Sequence, residues 1–249
     1  MRIAFNFRPE QLFLSLGILV MSFYSLAHAA ESAETILKRA IAASGERFQS
    51  VKGPMLWMTR GTAYSNGASQ PFVAQYASQW PNWFRREIEG AYVVSSNGDA
   101  IWVSTGSQDR TLENLEYKSS KQQIRLRWIS YLFPLQDRSQ YSLNPLPKIE
   151  IEGRPCVGIH ATHADGDAIS LYFDNENYLL RKIDSYLPST TSKSMIHEEI
   201  YLSEHRSVGG VKIAHHEKRV HNGRLIMEAQ RVATKTGATL DPEFFKTPE

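Results

Sequence analysis

The sequence predicts a mainly β, α+β fold: one open, strongly curved antiparallel sheet, a half-barrel of about eleven strands, with helices covering its concave face. Three observations lead there. Apolar and polar residues alternate along most of the chain beyond Val51, as they do in half-buried strands. Tight-turn signals separate these runs at Asn66-Gly67, Asn97-Gly98-Asp99, Gly209-Gly210 and Asn222-Gly223, and consecutive hairpins make a meander. A helical stretch interrupts the strands after the fifth or sixth. A sheet this long must curl, which leaves a concave face for that stretch to cover.

The elements follow in order. Ser32 is placed to cap a helix whose apolar stripe is Ile36, Leu37, Ala40 and Ile41, and Gly45 is placed to end it. Val51 to Tyr64 and Phe72 to Trp80 read as a hairpin. Pro81 interrupts, and Trp83 to Glu89 then alternates, with Phe84 and Ile88 on one face and Trp83 and Arg85 on the other. Ala91 to Ser95 and Ala100 to Thr105 flank the next turn. Gln108 to Phe133 loses the period of two. Ile124, Trp128 and Leu132 are four apart, which predicts one or two helices stopped by Pro134. Leu135 to Lys148 is expected to be a loop. Strands resume at Ile149 to Ile151, Cys156 to Thr162, Ala168 to Asp174 and Leu179 to Tyr186. After a Ser/Thr-rich loop they continue at Glu198 to Arg206, Val211 to Val220 and Arg224 to Ala233.

The first 29 residues have the layout of a cleavable signal peptide. Arg2 and Arg8 precede the apolar run Leu12 to Leu26, and Ala27-His28-Ala29 offers a small-x-small cleavage site. One exported domain, Ala30 to Glu249, is the expected product, placed in the periplasm. Its formal charge is close to neutral: the chain carries +2, and Arg2, Arg8 and Glu10 leave with the leader. No field for nucleic acid results. Cys156 is the single cysteine, so the fold must hold without an internal disulfide.

Signatures of chemistry are sparse. The sequence has no G-x-S-x-G, GxGxxG, P-loop or CxxC. His160 and His163 are expected on opposite faces of a strand. His216-Glu217-Lys218-Arg219-Val220 starts like a zinc-protease helix but has Val220 where the second ligand belongs. His205 is expected to face Ala214 or His215 across the Gly209-Gly210 hairpin, with no third ligand in view. The expectation is a protein that is not an enzyme and needs no metal or cofactor.

Several stretches resemble the periplasmic lipoprotein carrier family, the LolA-, LolB- and RseB-like outer-membrane lipoprotein-sorting proteins. Pro81-Asn82-Trp83-Phe84-Arg85, followed by Ser95-Ser96-Asn97-Gly98 and Ile101-Trp102-Val103, is similar to the family's proline-led strand and its "s-d-G-x-x-x-W" element. Ile169 to Asp174 resembles its "l-x-f-D" strand. Leu240-Asp241-Pro242 with Phe244 to Pro248 resembles its closing element. Trp80 stands where the dedicated carrier has an arginine that latches the lid. The resemblance implies an open barrel lidded by helices around an apolar cavity for acyl chains.

That implied function makes physical sense of the aromatic content. Each buried CH₂ contributes about 0.8 kcal/mol, so a site for an acyl chain needs apolar area and few hydrogen bonds. Trp57, Phe84, Trp102, Leu126, Trp128, Ile129, Leu132 and Phe133 are the expected lining, with Arg86 as a basic group at the mouth. Arg125 and Arg127 are expected to solvate a face. Ile129→Asp is expected to weaken ligand binding more than folding. The expected partners are an acyl-bearing lipid or lipoprotein and an inner- or outer-membrane protein. The alternative is an interaction or regulatory module of the same fold with no transported ligand.

Overall fold

The computed structural model describes residues 31–45 and 53–246. The signal-peptide expectation falls on residues 1–29, outside the described residues. Helix α1 (Ala33–Ser44) begins as predicted, with Ser32 Oγ accepting from the Thr35 amide at 3.2 Å, and ends at Gly45 with φ 107°.

A meander follows: β1 (Met55–Ser65), β2 (Ala68–Gln79), β3 (Trp83–Ile88), β4 (Tyr92–Asn97), β5 (Ile101–Ser104) and β6 (Asp109–Thr111). Helix α2 (Asn114–Ile129) and a 3-10 turn (Phe133–Gln136) come next. A second run then contains β7 (Tyr141–Ile151), β8 (Arg154–His163), β9 (Ala168–Asp174), β10 (Leu180–Pro188) and β11 (Met195–Ser203). It is completed by β12 (Arg206–Val208), β13 (Val211–Ile213), β14 (His216–His221), β15 (Arg224–Thr236) and a closing 3-10 turn (Pro242–Phe245).

Thirteen of these strands form one antiparallel sheet, ordered β6-β5-β4-β3-β2-β1-β15-β14-β11-β10-β9-β8-β7. It is open and curved, as predicted, with two more strands than expected. The two meanders join where β1 pairs with β15, leaving β6 and β7 as the edges. The chain leaves the sheet at one edge and re-enters at the other. The connection has to cross a face, and α2 with its 3-10 turn makes the crossing.

Four expectations change. Residues 135–148 are not a loop, because β7 begins at Tyr141. Its Pro145 and Pro147 are tolerated because β7 is an edge strand, and the register shifts between Leu146 and Ile149 to accommodate the second. The 108–133 stretch holds one helix, within the one or two expected, but it stops at Ile129 and not at Pro134. Pro134 sits inside the following 3-10 turn, entered through Leu132 at φ 65°. The Gly209-Gly210 turn closes a separate two-stranded ribbon, β12–β13, so the predicted 211–220 strand splits before His216. Ile129, finally, is no cavity wall. It is fully buried in the main core.

That core lies over β8–β11. Ile36, Leu37 and Ala40 of α1 pack with Leu126 and Ile129 of α2 onto Ile159, Leu171, Phe173, Ile183 and Ile200. Each such side chain contributes roughly 1.5–3 kcal/mol by leaving water. A second cluster covers β1–β3: Trp57, Tyr76 and Phe84 meet Trp128, Tyr131 and Phe133. Most of the concave face is therefore filled by the protein's own side chains.

Candidate ligand-binding cavity

At one end of the concave face the filling is incomplete, and a cavity of about 570 Å³ remains. That is within the range of small-molecule sites. Four parts of the chain enclose it, one of them the 3-10 turn with Phe133, Pro134 and Gln136. Tyr117, Lys121, Ile124, Arg125 and Trp128 are one stripe of α2, recurring every three or four residues. The β2–β3 and β4–β5 turns supply Trp80, Pro81, Asn82 and Ser96 to Ile101. The far wall is Gln140 and Tyr141, where β7 begins, and His163, which pairs with Tyr141 in the β7–β8 register.

The inner wall is aromatic. Trp80 stands edge-on to Trp128 at 5.4 Å and to Phe133 at 4.8 Å, and Trp128 lies 6.2 Å from Phe133. The Trp128 indole N–H is buried without an acceptor among the described residues. Burial pushes the Tyr141 phenol up to about 12, so it keeps its proton.

Ion pairs fix the helix above this space. Arg125 holds Asp165 at 2.6 Å and also pairs with Asp167, tying α2 to the β8–β9 turn. His163 Nδ1 lies 2.6 Å from Asp165. Burial opposes ionisation of Asp165, but the Arg125 and His163 hydrogen bonds prevail and hold its carboxyl well below the usual range.

Deeper under α2 the concave face carries charge. Arg127 meets Glu217 at 2.8 Å. Arg219 meets Glu217 at 2.6 Å and Glu198 at 3.1 Å, and His221 reaches Glu198 at 3.2 Å. Arg127 also lies over Tyr76, and Arg231 over Trp57, whose ring stacks on Tyr76 at 4.8 Å. Glu217 loses solvation on burial, yet the two arginines hold it ionised, far below its ordinary range. The expectation that Arg125 and Arg127 solvate a face is thus overturned: both side chains are mostly buried in ion pairs. The pentapeptide His216 to Val220, read from sequence only as an incomplete zinc motif, holds the partner of Arg127, Glu217.

The expected lining separates into four places. Trp128 and Phe133 border the cavity. Phe84 and Arg86 border a narrow crevice on the other side of Ile124. Trp57, Leu126, Ile129 and Leu132 are in packed core. Trp102 lies on the opposite face of the sheet from Phe84. It pairs with Ser95, which pairs with Arg85, and directly paired residues share a face. The Ser95 hydroxyl donates to the Phe245 carbonyl at 3.2 Å, so this face carries the closing 3-10 turn. Sequence reasoning missed Trp80, Tyr117, Ile124 and Tyr141. The helical spacing of Tyr117, Lys121, Ile124 and Trp128 is a signal from which two of them could have been found.

His160 and His163 do lie on opposite faces: His160 bonds Ser170, and His163 faces the cavity. Among the described residues the one grouping of three potential metal ligands is Asp184, His197 and Glu199 on the outer face. Lys182 Nζ sits 3.0 Å from Asp184 and 2.7 Å from Glu199, where a cation would be.

No protein-family model matches the sequence, and no curated protein matches it. Solved structures do. A DUF1329 family protein from Desulfovibrio piger superposes with a TM-score of 0.61 at 10% identity, over 87% of this chain and 98% of its own. A LolA superfamily protein from Nitrosomonas europaea gives 0.57 at 13%, over 88% and 99%. A domain from Vibrio parahaemolyticus, named for outer membrane lipoprotein sorting, gives 0.59 at 12%, over 86% and 97%. At these identities the likeness is one of fold alone: the chain folds like these three proteins. Among the described residues, no helix is long and apolar enough to cross a membrane.

Proposed function

We propose that this chain is a periplasmic carrier or sensor. It reversibly buries an acyl chain of a lipid or lipoprotein in the cavity beneath α2, for transfer toward the outer membrane. The observation that carries the reading is the 570 Å³ space walled by Trp80, Trp128 and Phe133 at an end of the sheet that the core leaves unfilled. Binding then needs no covalent chemistry. Methylenes leave water for an apolar wall at about 0.8 kcal/mol each, offset by the ordering of the chain. Names such as lipoprotein sorting, carried by proteins of the same fold, agree with this. The reading also includes cleavage after Ala29 and a single exported domain, both of which N-terminal sequencing of the secreted protein checks.

The direct test is gentle purification followed by mass spectrometry of extracted lipid, with titration of an environment-sensitive fatty-acid dye. Bound lipid and saturable dye binding are expected. Trp80→Ala is expected to weaken the dye about tenfold or more, consistent with loss of a large aromatic contact. Trp80 is only partly buried, so its melting temperature is expected to stay within a few degrees of the parent. Absence of both lipid and dye binding overturns the reading. That outcome selects the interaction-module alternative, which the filling of most of the concave face by α1 and α2 favours.

A further inference from the structure

The crevice on the far side of Ile124 holds a charge imbalance. It lies between α2 and strands β3 and β4, lined by Phe84, Arg86 and Val94 from the sheet and by Ser120, Gln123 and Arg127 from the helix, with Arg219 behind. Two carboxylates, Glu217 and Glu198, serve Arg127 and Arg219. Arg86 has no carboxylate among the described residues. It rests over the Tyr92 ring at 5.4 Å, and its Nε is buried without an acceptor. The Ser120 hydroxyl and the Gln123 amide likewise make no hydrogen bond to another described side chain or backbone group. Three guanidinium groups therefore share two anions, and the unmatched donors all face one space.

That space neighbours the larger cavity, with Ile124 between the two. Phe84 pairs with Ser96, and Val94 is two residues from Ser96 on the same face; Ser96 and Ile101 line the cavity. Ile124 borders both. Free volume in the crevice is about 30 Å³. This exceeds the roughly 10–15 Å³ of free volume that one water needs, and a flat carboxylate fills so narrow a space more readily than a phosphate with three free oxygens.

We infer that the crevice is a head-group site and that the ligand is a long-chain carboxylate. Its tail lies in the aromatic cavity, and its carboxylate is held by Arg86, Ser120 and Gln123. This rests on the acyl-binding reading above and narrows it to one ligand class. A guanidinium with no carboxylate partner, half-buried against an aromatic ring, is a site for an incoming anion.

Displacement of the fatty-acid dye by dodecanoate, dodecanol and dodecyl phosphate tests it. On the parent protein, dodecanoate is expected to displace at about a tenfold lower concentration than dodecanol, the size of effect a charge-assisted hydrogen bond gives. Dodecyl phosphate is expected to be weaker than dodecanoate. Arg86→Met, which keeps the aliphatic stem, is expected to abolish the preference over dodecanol, and Arg86→Lys to restore part of it. Gln123→Leu, at a half-buried helix position, is expected to reduce it and gives a second reading should Arg86→Met fold poorly. Equal displacement by dodecanoate and dodecanol overturns the head-group site while leaving the apolar cavity standing. A preference for dodecyl phosphate overturns the carboxylate. If the dye binds nothing in the parent, both readings fall, through the cavity.

Discussion

Ile129 shows what a periodicity can and cannot say. Its place in the apolar run before Pro134 marked it correctly as inward-facing. Which of two inward surfaces it meets depends on partners far along the chain: it packs with Ile36 and Leu37 of α1, not against the cavity. Ile129→Asp is therefore expected to destabilise the protein by several kcal/mol, since an unpaired carboxylate in a core either stays charged at great cost or takes up a proton. Urea unfolding monitored by tryptophan fluorescence checks this. A variant that melts like the parent and loses only dye binding would return Ile129 to the cavity wall. Trp80 teaches the converse. From sequence it stood out only as the residue at the place where the carrier family that the chain resembles has an arginine. In space it is the ring that touches both Trp128 and Phe133.

Elements were more legible than sites, for reasons visible in particular segments. The first helix was readable because its signals are local: Ser32 accepts from an amide three residues on, and Gly45 follows the last turn. Strand β7 was not, because Asn144, Pro145 and Pro147 are loop residues unless the strand is an edge, and edges are a property of the finished sheet. The Arg127–Glu217 pair joins residues 90 apart and left no local trace. Gly45 also has a tertiary role that its cap signature hides. A side chain there would collide with the Gly210 carbonyl, so the end of α1 is packed directly on the β12–β13 ribbon. Gly45→Ala is expected to cost about 1–3 kcal/mol, through both the left-handed φ and the displaced ribbon. Thermal denaturation measures it. A loss within a few tenths of a kcal/mol, the size of an ordinary surface change, would mean the ribbon moves aside freely.

For the molecule as a whole, an open sheet bridged by one helix concentrates its weaknesses where α1, α2 and the ribbon meet beneath the sheet. His205 lies there, in a small space it shares with Ser44, Arg127, Tyr131, Glu217 and Arg231. Burial, seconded by the Arg181 charge, lowers its pKa from 6.5 to about 4. The folded state thus holds a neutral imidazole where the unfolded chain would bind a proton. The contribution is fully present above about pH 6.5 and is lost as the pH falls toward 4, amounting to roughly 2–3 kcal/mol at the lower end. Glu217 and Asp165 have depressed pKa values as well, and depressed carboxylates lose their contribution only below the unfolded carboxylate range. The two effects occupy different windows. Melting temperature is expected to fall from pH 6.5 to 4.5 in the parent and to stay level over that window in His205→Asn, with both proteins destabilised further below pH 4. A parent whose stability is flat between pH 6.5 and 4.5 would mean that acid enters this junction without opening it, and that His205 is solvated in solution. If it does fall, mild acid loosens the seat of α2, and dye affinity should decline across the same pH window in the parent and not in His205→Asn.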